Sequence, residues 1–299
     1  MPNIAIIGMG ALGILYGDVM TTALGRDAVT FLGDEDRIRK YRREGVFCNG
    51  KKCDFHMSTE TEAADLLLFA VKGNALRDAM RIAEPAVGED TIILSVLNGI
   101  SSEEILADHF RKGHIVHCIA QGMDAVKLGN KLTYSHMGEL RIGTPYPALM
   151  PYVERAAKLL KSANVPFMVE EDILHRLWSK WMLNVGVNQV VMVCEGTYGT
   201  VQNPGEARDT MIAAMEEVRK LSECAKTGVT EEDVEFYVNL LDSLDPDGMP
   251  SMRQDGISHR YSEVDLFAGT VIQKAAEYGL PVPVNEMLYR KVKEMEASY

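Results

Sequence analysis

The 299-residue sequence predicts two architectures in series, an α/β domain over 1–169 and an all-helical domain over 170–299. Three observations carry this. The chain opens on a short apolar run, a glycine-rich turn and a helical pattern, in that order. Apolar strand-like runs then alternate with helical stretches as far as residue 169. Beyond that point the hydrophobic spacing is helical throughout.

Ile4 to Ile7 has the unbroken apolar character of a buried parallel strand. It runs into Gly8-Met9-Gly10-Ala11-Leu12-Gly13, and Leu12, Leu15, Tyr16, Val19 and Met20 then form one helical face. Strand, glycine turn and helix in this order form the dinucleotide-binding pattern of a Rossmann domain. Gly8 permits a tight turn, Gly10 lets backbone approach a pyrophosphate, and Gly13 lets helix and strand pack closely. The helix N-terminus offers N–H groups and partial positive charge to phosphates. A purely structural glycine turn is the plainer alternative, and the second strand at Ala28 to Leu32 weighs against it.

Asp65 to Val71 and Thr91 to Leu97 read as central strands, with a helix over Asn74 to Ala86 between them. Lys72 follows the first strand and Asn98-Gly99 the second. Ligands of open α/β sheets lie beyond the carboxyl ends of strands, so Lys72 and Asn98 are candidates to meet cofactor or substrate; the alternative for each is a loop residue facing water. Ile115 to Ala120 is a further strand, and the run containing Tyr134, Leu140 and Ile142 suggests a hairpin. Tyr152 to Ala163 reads as a helix, Pro166 to Val169 as a last strand, and Glu170-Glu171-Asp172 as a helix start.

In the helical half, Leu177 to Val193 is apolar except for a stripe. Lys180, Asn184 and Asn188 recur every fourth residue, which stacks them on one face roughly 6 Å apart. A lysine within so apolar a helix needs a partner or a task, so the stripe reads as the wall of a polar cleft. Helical patterns continue over Asn203 to Thr227, Thr230 to Leu241, Tyr261 to Tyr278 and Val284 to Ala297. Ser251 follows an Asp/Pro/Gly-rich break and reads equally as a helix cap or an exposed hydroxyl. Ser262 and Asp265 have capping-box spacing, which makes Glu263 either a solvated first-turn acid or a site residue.

A formal charge of −12 argues against nucleic acid as partner. The five cysteines form no metal-type spacing, so free thiols and no metal are expected. No apolar stretch approaches ~20 residues and no leader pattern is visible, so no membrane association and a cytoplasmic location are expected.

The whole constellation resembles the ketopantoate reductase family, the 2-dehydropantoate 2-reductases. Gly8 to Gly13, Phe69-Ala70-Val71-Lys72 and Leu97-Asn98-Gly99 carry the resemblance in the first half. Leu177-Trp178-Ser179-Lys180 with Asn184 and Asn188, Pro250-Ser251-Met252 before Asp255, and Ser262-Glu263-Val264-Asp265 carry it in the second. The resemblance implies a Rossmann domain followed by a helical domain like the C-terminal domain of 6-phosphogluconate dehydrogenase, with the active site in the cleft between them. It implies NADPH- or NADH-dependent reduction of ketopantoate to pantoate, within pantothenate and coenzyme A synthesis. Lys180 takes the role of general acid at the ketone oxygen, and Glu263 contacts a substrate hydroxyl. Asn98, Asn184, Asn188 and Ser251 hydrogen-bond the substrate. Gly8, Met9, Gly10, Ala11, Leu12, Gly13, Lys72 and Asn98 meet the cofactor. A homodimer is also implied as possible.

The chain departs from the family pattern in places. Asp34 stands where an arginine usually meets the 2′-phosphate of NADPH, which favours NADH unless Arg37 turns in to read the phosphate. Ala75 replaces a frequent glutamine, and Tyr198 and Ala268 replace asparagines. Two alternatives therefore stand beside ketopantoate: a related two-domain dehydrogenase acting on another 2-oxo acid, and a non-catalytic nucleotide-binding protein.

Overall fold

The computed structural model describes residues 1–111 and 113–299. Its backbone divides into two compact units, Met1–Ile173 and Leu174–Tyr299.

The first unit contains β1 (Ile4–Ile7), α1 (Ala11–Leu24), β2 (Val29–Leu32), α2 (Glu35–Glu44), β3 (Phe47–Cys48), β4 (Lys51–Lys52), β5 (His56–Ser58), β6 (Leu66–Phe69), α3 (Leu76–Ala83) and β7 (Ile92–Ser95). These are followed by α4 (Ser102–His109), β8 (His114–Met123), β9 (Val126–Leu128), β10 (Lys131–Thr133), β11 (Met137–Gly143), α5 (Met150–Ser162) and β12 (Phe167–Val169). Every residue of β1, β2, β6 and β7 is buried. Strands covered on both faces carry near-continuous apolar runs, here broken only by Thr30 in β2 and Ser95 in β7, which is why these four stand out in the sequence.

They belong to an eight-stranded sheet of order β12-β11-β8-β7-β6-β1-β2-β5. Ile4 of β1 lies opposite Val29 of β2 on one side and Leu66 of β6 on the other, both parallel. The chain thus leaves β1 in one direction and returns to its other flank, which opens a crevice at the carboxyl end of β1. The run expected to form a hairpin instead ends in β11, which lies antiparallel to β8 with Ile142 opposite Cys118, while the tight antiparallel pair in this region is β9 and β10. A second, four-stranded sheet has the order β4-β3-β10-β9.

The helix expected over Asn74 to Ala86 is regular only over α3, with short 3₁₀ turns at either end. Pro85 lies in the second of these turns and has no N–H to continue the ladder.

One buried acid links α4 to the sheet. Glu103 is 4% exposed and accepts from Ser102 Oγ at 2.8 Å; Ser102 in turn accepts from Ser95 Oγ at 2.8 Å. Burial pushes its carboxyl up to about 7, although Ser102 and the backbone N–H groups of Glu103 and Cys118 favour the charged form.

The second unit holds α6 (Ile173–Val193), α7 (Gly199–Gln202), α8 (Glu206–Ala225), α9 (Glu231–Asp242), α10 (Ser251–Ile257), α11 (Thr270–Tyr278) and α12 (Pro283–Glu296). The first residue of α6 is the last of the preceding unit. Trp181, Met182, Val185, Val190, Val191 and Met192 are all buried, so α6 is enclosed on most of its circumference. A Cβ on Gly186 would lie 2.6 Å from Met215 Cγ, so this glycine is what allows α8 to cross so closely.

The expected helix over Tyr261 to Tyr278 starts later. Tyr261 and Ser262 are non-helical, a π-helical turn spans Asp265–Gly269, and α11 follows. The capping box expected of Ser262 and Asp265 gives way to longer-range partners. Ser262 Oγ donates to Glu296 at 2.6 Å, while the Asp265 carboxylate accepts from Tyr289 at 2.8 Å and Lys293 at 2.9 Å.

Glu103 generates a pH prediction. The raised carboxyl means the folded state holds more protons than the unfolded state between 4.5 and about 7. Its contribution is therefore full below that window and is lost as pH rises through it, a loss on the order of 3 kcal/mol. His117, whose imidazole burial pulls down to about 4, works in the opposite direction. Comparing Glu103→Gln with wild type isolates the glutamate. Denaturant unfolding is expected to show the variant gaining stability relative to wild type from pH 5 to pH 8, and a pH-independent difference would exclude titration of Glu103 there.

Candidate functional site

The first group of site residues surrounds the carboxyl end of β1. A pocket of about 300 Å³ is lined there by Gly8, Met9, Gly10, Gly33, Arg37, Lys40 and Tyr41, among others. Gly10 precedes α1; no side chain caps that helix and its first turn contains no acid. The terminal N–H groups and the helix dipole therefore suit an anion.

The three motif glycines serve different ends. Gly8 has φ +106, and a Cβ there would lie 2.3 Å from the Ala70 carbonyl oxygen. A Cβ on Gly13 would lie 2.0 Å from the Gly8 carbonyl oxygen. The protein's own packing thus requires both. Gly10 has an ordinary φ of −72, and a Cβ there would meet only the Ala70 oxygen at 3.4 Å. Nothing in the protein needs Gly10 bare, so the space above it fits the phosphates of a dinucleotide. Ala11 and Leu12 begin α1 beside it.

Asp34 is the N-cap of α2. Its carboxylate accepts from the Arg37 N–H at 2.8 Å and pairs with the Arg37 guanidinium at 3.2 Å. Arg37 and Lys40 line the pocket, whereas Asp34 does not. The sequence reading missed Lys40 because it missed α2. The available signal was the Asp34 cap, followed by acids in the first turn and Arg42 and Arg43 in the last. Lys72 is exposed just past β6, and its carbonyl accepts from Ala75 N–H at 2.9 Å. Asn98 is half-buried past β7, before Gly99 with φ +96.

The second group lies in the helical unit. Lys180 and Asn184 are half-buried on α6, and Asn188 is 4% exposed. Asn188 Oδ1 accepts from Ser251 Oγ at 3.1 Å and from the Met252 N–H at 3.2 Å. The backbone donor fixes which way the carboxamide faces. Asn188 Nδ2 then donates to Asn184 Oδ1 at 3.3 Å. Asn184, Asn188 and Ser251 therefore form one hydrogen-bonded chain joining α6 to the start of α10.

Glu263 is half-buried ahead of the π-turn. Trp181, next to Lys180, donates its indole N–H to the Leu266 carbonyl at 2.9 Å, so the Glu263 segment packs against the lysine-bearing part of α6. Tyr198 lies over the loop leading to Ser251: its N–H donates to the Gly248 carbonyl at 2.9 Å, and a Cβ on Gly248 would lie 3.0 Å from its ring.

Among the described residues, no group of three or more His, Cys, Asp or Glu side chains could hold a metal ion. None of the five cysteines is in a disulfide. No described helix is long and apolar enough to cross a membrane.

The glycine analysis makes a paired prediction. Gly13→Ala is expected to destabilise the fold by about 1–3 kcal/mol through overpacking. Gly10→Ala is expected to keep the thermal midpoint while weakening binding of reduced nicotinamide dinucleotide at least ~10-fold, since backbone approach at this glycine serves the pyrophosphate. Fluorescence titration and thermal melts check both, and equal destabilisation by the two variants would make Gly10 structural as well.

Comparison with known proteins adds the family. The family described as "Ketopantoate reductase PanE/ApbA" matches residues 4–146, and its C-terminal counterpart matches 172–296. A 2-dehydropantoate 2-reductase of Vibrio cholerae is 23% identical over 306 residues, covering 99% of each chain. The structure of a PanE/ApbA family ketopantoate reductase from Ralstonia eutropha JMP134 superposes with TM-score 0.85 at 22% identity, covering 99% of both chains. D-mandelate dehydrogenase in complex with NADH superposes with TM-score 0.88 at 21% identity and the same coverage. At these identities the structural likeness is one of fold. The two family matches, which between them take in both units, show that the chain belongs to the ketopantoate reductase family of NAD(P)H-dependent oxidoreductases.

Proposed function

We propose that this chain is a 2-dehydropantoate 2-reductase, reducing the ketone of ketopantoate to the secondary alcohol of pantoate. The observation that carries the reading is the polarity of the Asn184–Asn188–Ser251 chain. Ser251 gives its single hydroxyl proton to Asn188, so its oxygen faces a ligand as an acceptor. Asn184 accepts from Asn188, which leaves its NH₂ as the group turned to a ligand. The site then offers a donor end, Lys180 and Asn184, for a 2-oxo acid. It also offers an acceptor end, Ser251 and Glu263, for a hydroxyl further along the same molecule. Ketopantoate has both features.

The first unit binds the cofactor and the second binds the oxo acid. Reduced nicotinamide supplies the hydride when bound. As the carbonyl carbon gains that hydride, the C=O π pair moves onto oxygen, and the Lys180 Nζ ammonium stabilises the charge and transfers a proton to it. Glu263 accepts from the substrate hydroxyl. Asn188 is a support, since its oxygen is already shared between Ser251 and Met252.

Arg37 and Lys40 on the pocket wall, with Asp34 engaged as a helix cap, support NADPH over NADH. This reverses the preference that Asp34 suggests when read alone. A second reading, another 2-oxo acid, is favoured by Tyr198, whose ring covers Gly248 near Ser251. The fold shared with D-mandelate dehydrogenase also favours it.

Reduction assays test these points. Lys180→Ala is expected to lower turnover at least ~100-fold with cofactor binding intact; near-normal turnover would remove Lys180 as the acid. Ketopantoate is expected to be turned over more efficiently than its analogue lacking the 4-hydroxyl, by at least ~10-fold, and Ser251→Ala is expected to shrink that ratio. Equal efficiencies, or a preference for aryl 2-oxo acids, would move the assignment to the second reading. NADPH is expected to exceed NADH in kcat/KM, with Arg37→Ala eroding the difference.

A further inference from the structure

Glu263 lies outside any regular helix or strand, with its carbonyl accepting from the Leu266 N–H at 2.9 Å. The residues before it are non-helical, and the turn after it is π-helical. The residues on either side of it are instead held from α12. Glu296, at the last position of that helix, is 2% exposed. Its Oε1 accepts from the Ser262 N–H at 2.7 Å and from Ser262 Oγ at 2.6 Å. Ser262 Oγ also accepts from the Val264 N–H at 3.3 Å, closing the turn around Glu263.

One helical turn earlier, Lys293 Nζ lies 3.7 Å from Glu296 Oε2 and 2.9 Å from Asp265 Oδ2. Tyr289 donates to the other Asp265 oxygen at 2.8 Å. Tyr289, Lys293 and Glu296 recur at the spacing of one helix face. They grip positions 262 and 265, which flank Glu263. The opposite side of the turn is held by α6, through Trp181 to the Leu266 carbonyl and from the Ala268 N–H to Gln189 Oε1 at 3.2 Å.

The far end of α12 is anchored as well. Glu217 of α8 accepts from the Val284 and Asn285 N–H groups, each at 2.9 Å. The helix is thus a fixed strut. Charge-assisted bonds to a buried carboxylate are short and directional, so Glu296 is suited to holding a backbone segment at one setting.

We propose that Glu296 is a positioning residue for Glu263, through which α12 sets where the Glu263 carboxylate meets the substrate hydroxyl. The inference rests on the reading of Glu263 given above. Glu296 touches no substrate in this account and acts only through the turn it holds.

The test is a double-mutant cycle in the full-length protein, reading KM for ketopantoate, kcat, NADPH affinity and thermal midpoint. Glu263→Ala is expected to raise KM at least tenfold. Glu296→Ala is expected to raise KM in the same direction, leaving NADPH affinity within twofold. The double variant is expected to have the KM of Glu263→Ala, because a residue that acts through another has no further effect once the other is gone. Ser262→Ala, which removes one of the two bonds to Glu296, gives a milder probe should Glu296→Ala unfold. It is expected to raise KM by a smaller factor, with recovery in Ser262→Thr.

Wild-type KM in both the folded Glu296→Ala and Ser262→Ala proteins, alongside a raised KM in Glu263→Ala, overturns this inference and leaves the role of Glu263 standing. Additive effects in the double variant also overturn it. An unchanged KM in Glu263→Ala overturns the reading of Glu263 and this inference with it.

Discussion

A helix enclosed on most of its circumference must find a partner for every polar side chain it carries, and α6 carries several. An unsatisfied buried amide costs about 1–3 kcal/mol, enough to matter in a fold stable by roughly ten. The solution along α6 is graded. Gln189, fully buried, is satisfied by the Val185 carbonyl, Asn285 and the Ala268 N–H. Asn188, nearly buried, is satisfied by Asn184, Ser251 and Met252. Asn184 and Lys180, one and two turns nearer the start of the helix, are half-buried. The same requirement that stabilises the helix thus ties the deeply buried amides Asn188 and Gln189 to other elements of the unit, while Ser179 is satisfied within the helix by the His175 carbonyl.

The central strands and α6 were readable because burial on most sides leaves a largely apolar run, as in Leu66–Phe69 or residues 92–94. Elements held by other means were not. In α2 only Ile38 is buried, so its ten residues carry no apolar periodicity, and its order comes from the Asp34 cap and charges matched to the helix ends. In α4 the inward positions include Ser102 and Glu103, polar groups that satisfy one another and Ser95. A reading that equates inward with apolar passes over both.

The candidate site divides along the same line. Spacing alone picked out Lys180, Asn184 and Asn188, because helical recurrence is a local property. Spacing could not reveal that Asn188 reaches Ser251, 63 residues away, or that Ser262 finds Glu296 rather than Asp265. The local capping box was a sound expectation from Ser262 and Asp265. It lost because α12 offers each of them a partner already fixed within a packed helix, so little further freedom is lost when the bond forms.

The three glycines of the β1–α1 turn show why a motif and a site are different claims. Gly8 and Gly13 answer to Ala70 and to each other, and would be needed in a turn of this shape with no ligand at all. Only Gly10 is left bare without a reason internal to the protein. The case for a bound dinucleotide therefore rests less on the full pattern than on this one residue, on the uncapped N-terminus of α1, and on the cations across the pocket. Asp34 teaches the matching lesson about charge. An acid at the end of β2 reads as a ribose ligand in sequence, but its carboxylate is engaged by the Arg37 N–H and guanidinium. Asp34 and Arg37 largely offset one another, so the further positive charge on the pocket wall comes from Lys40. In a chain of net charge −12, most of the distant negative charge is screened beyond about 8 Å at physiological salt. Local cations of this kind can then decide whether an anion is held.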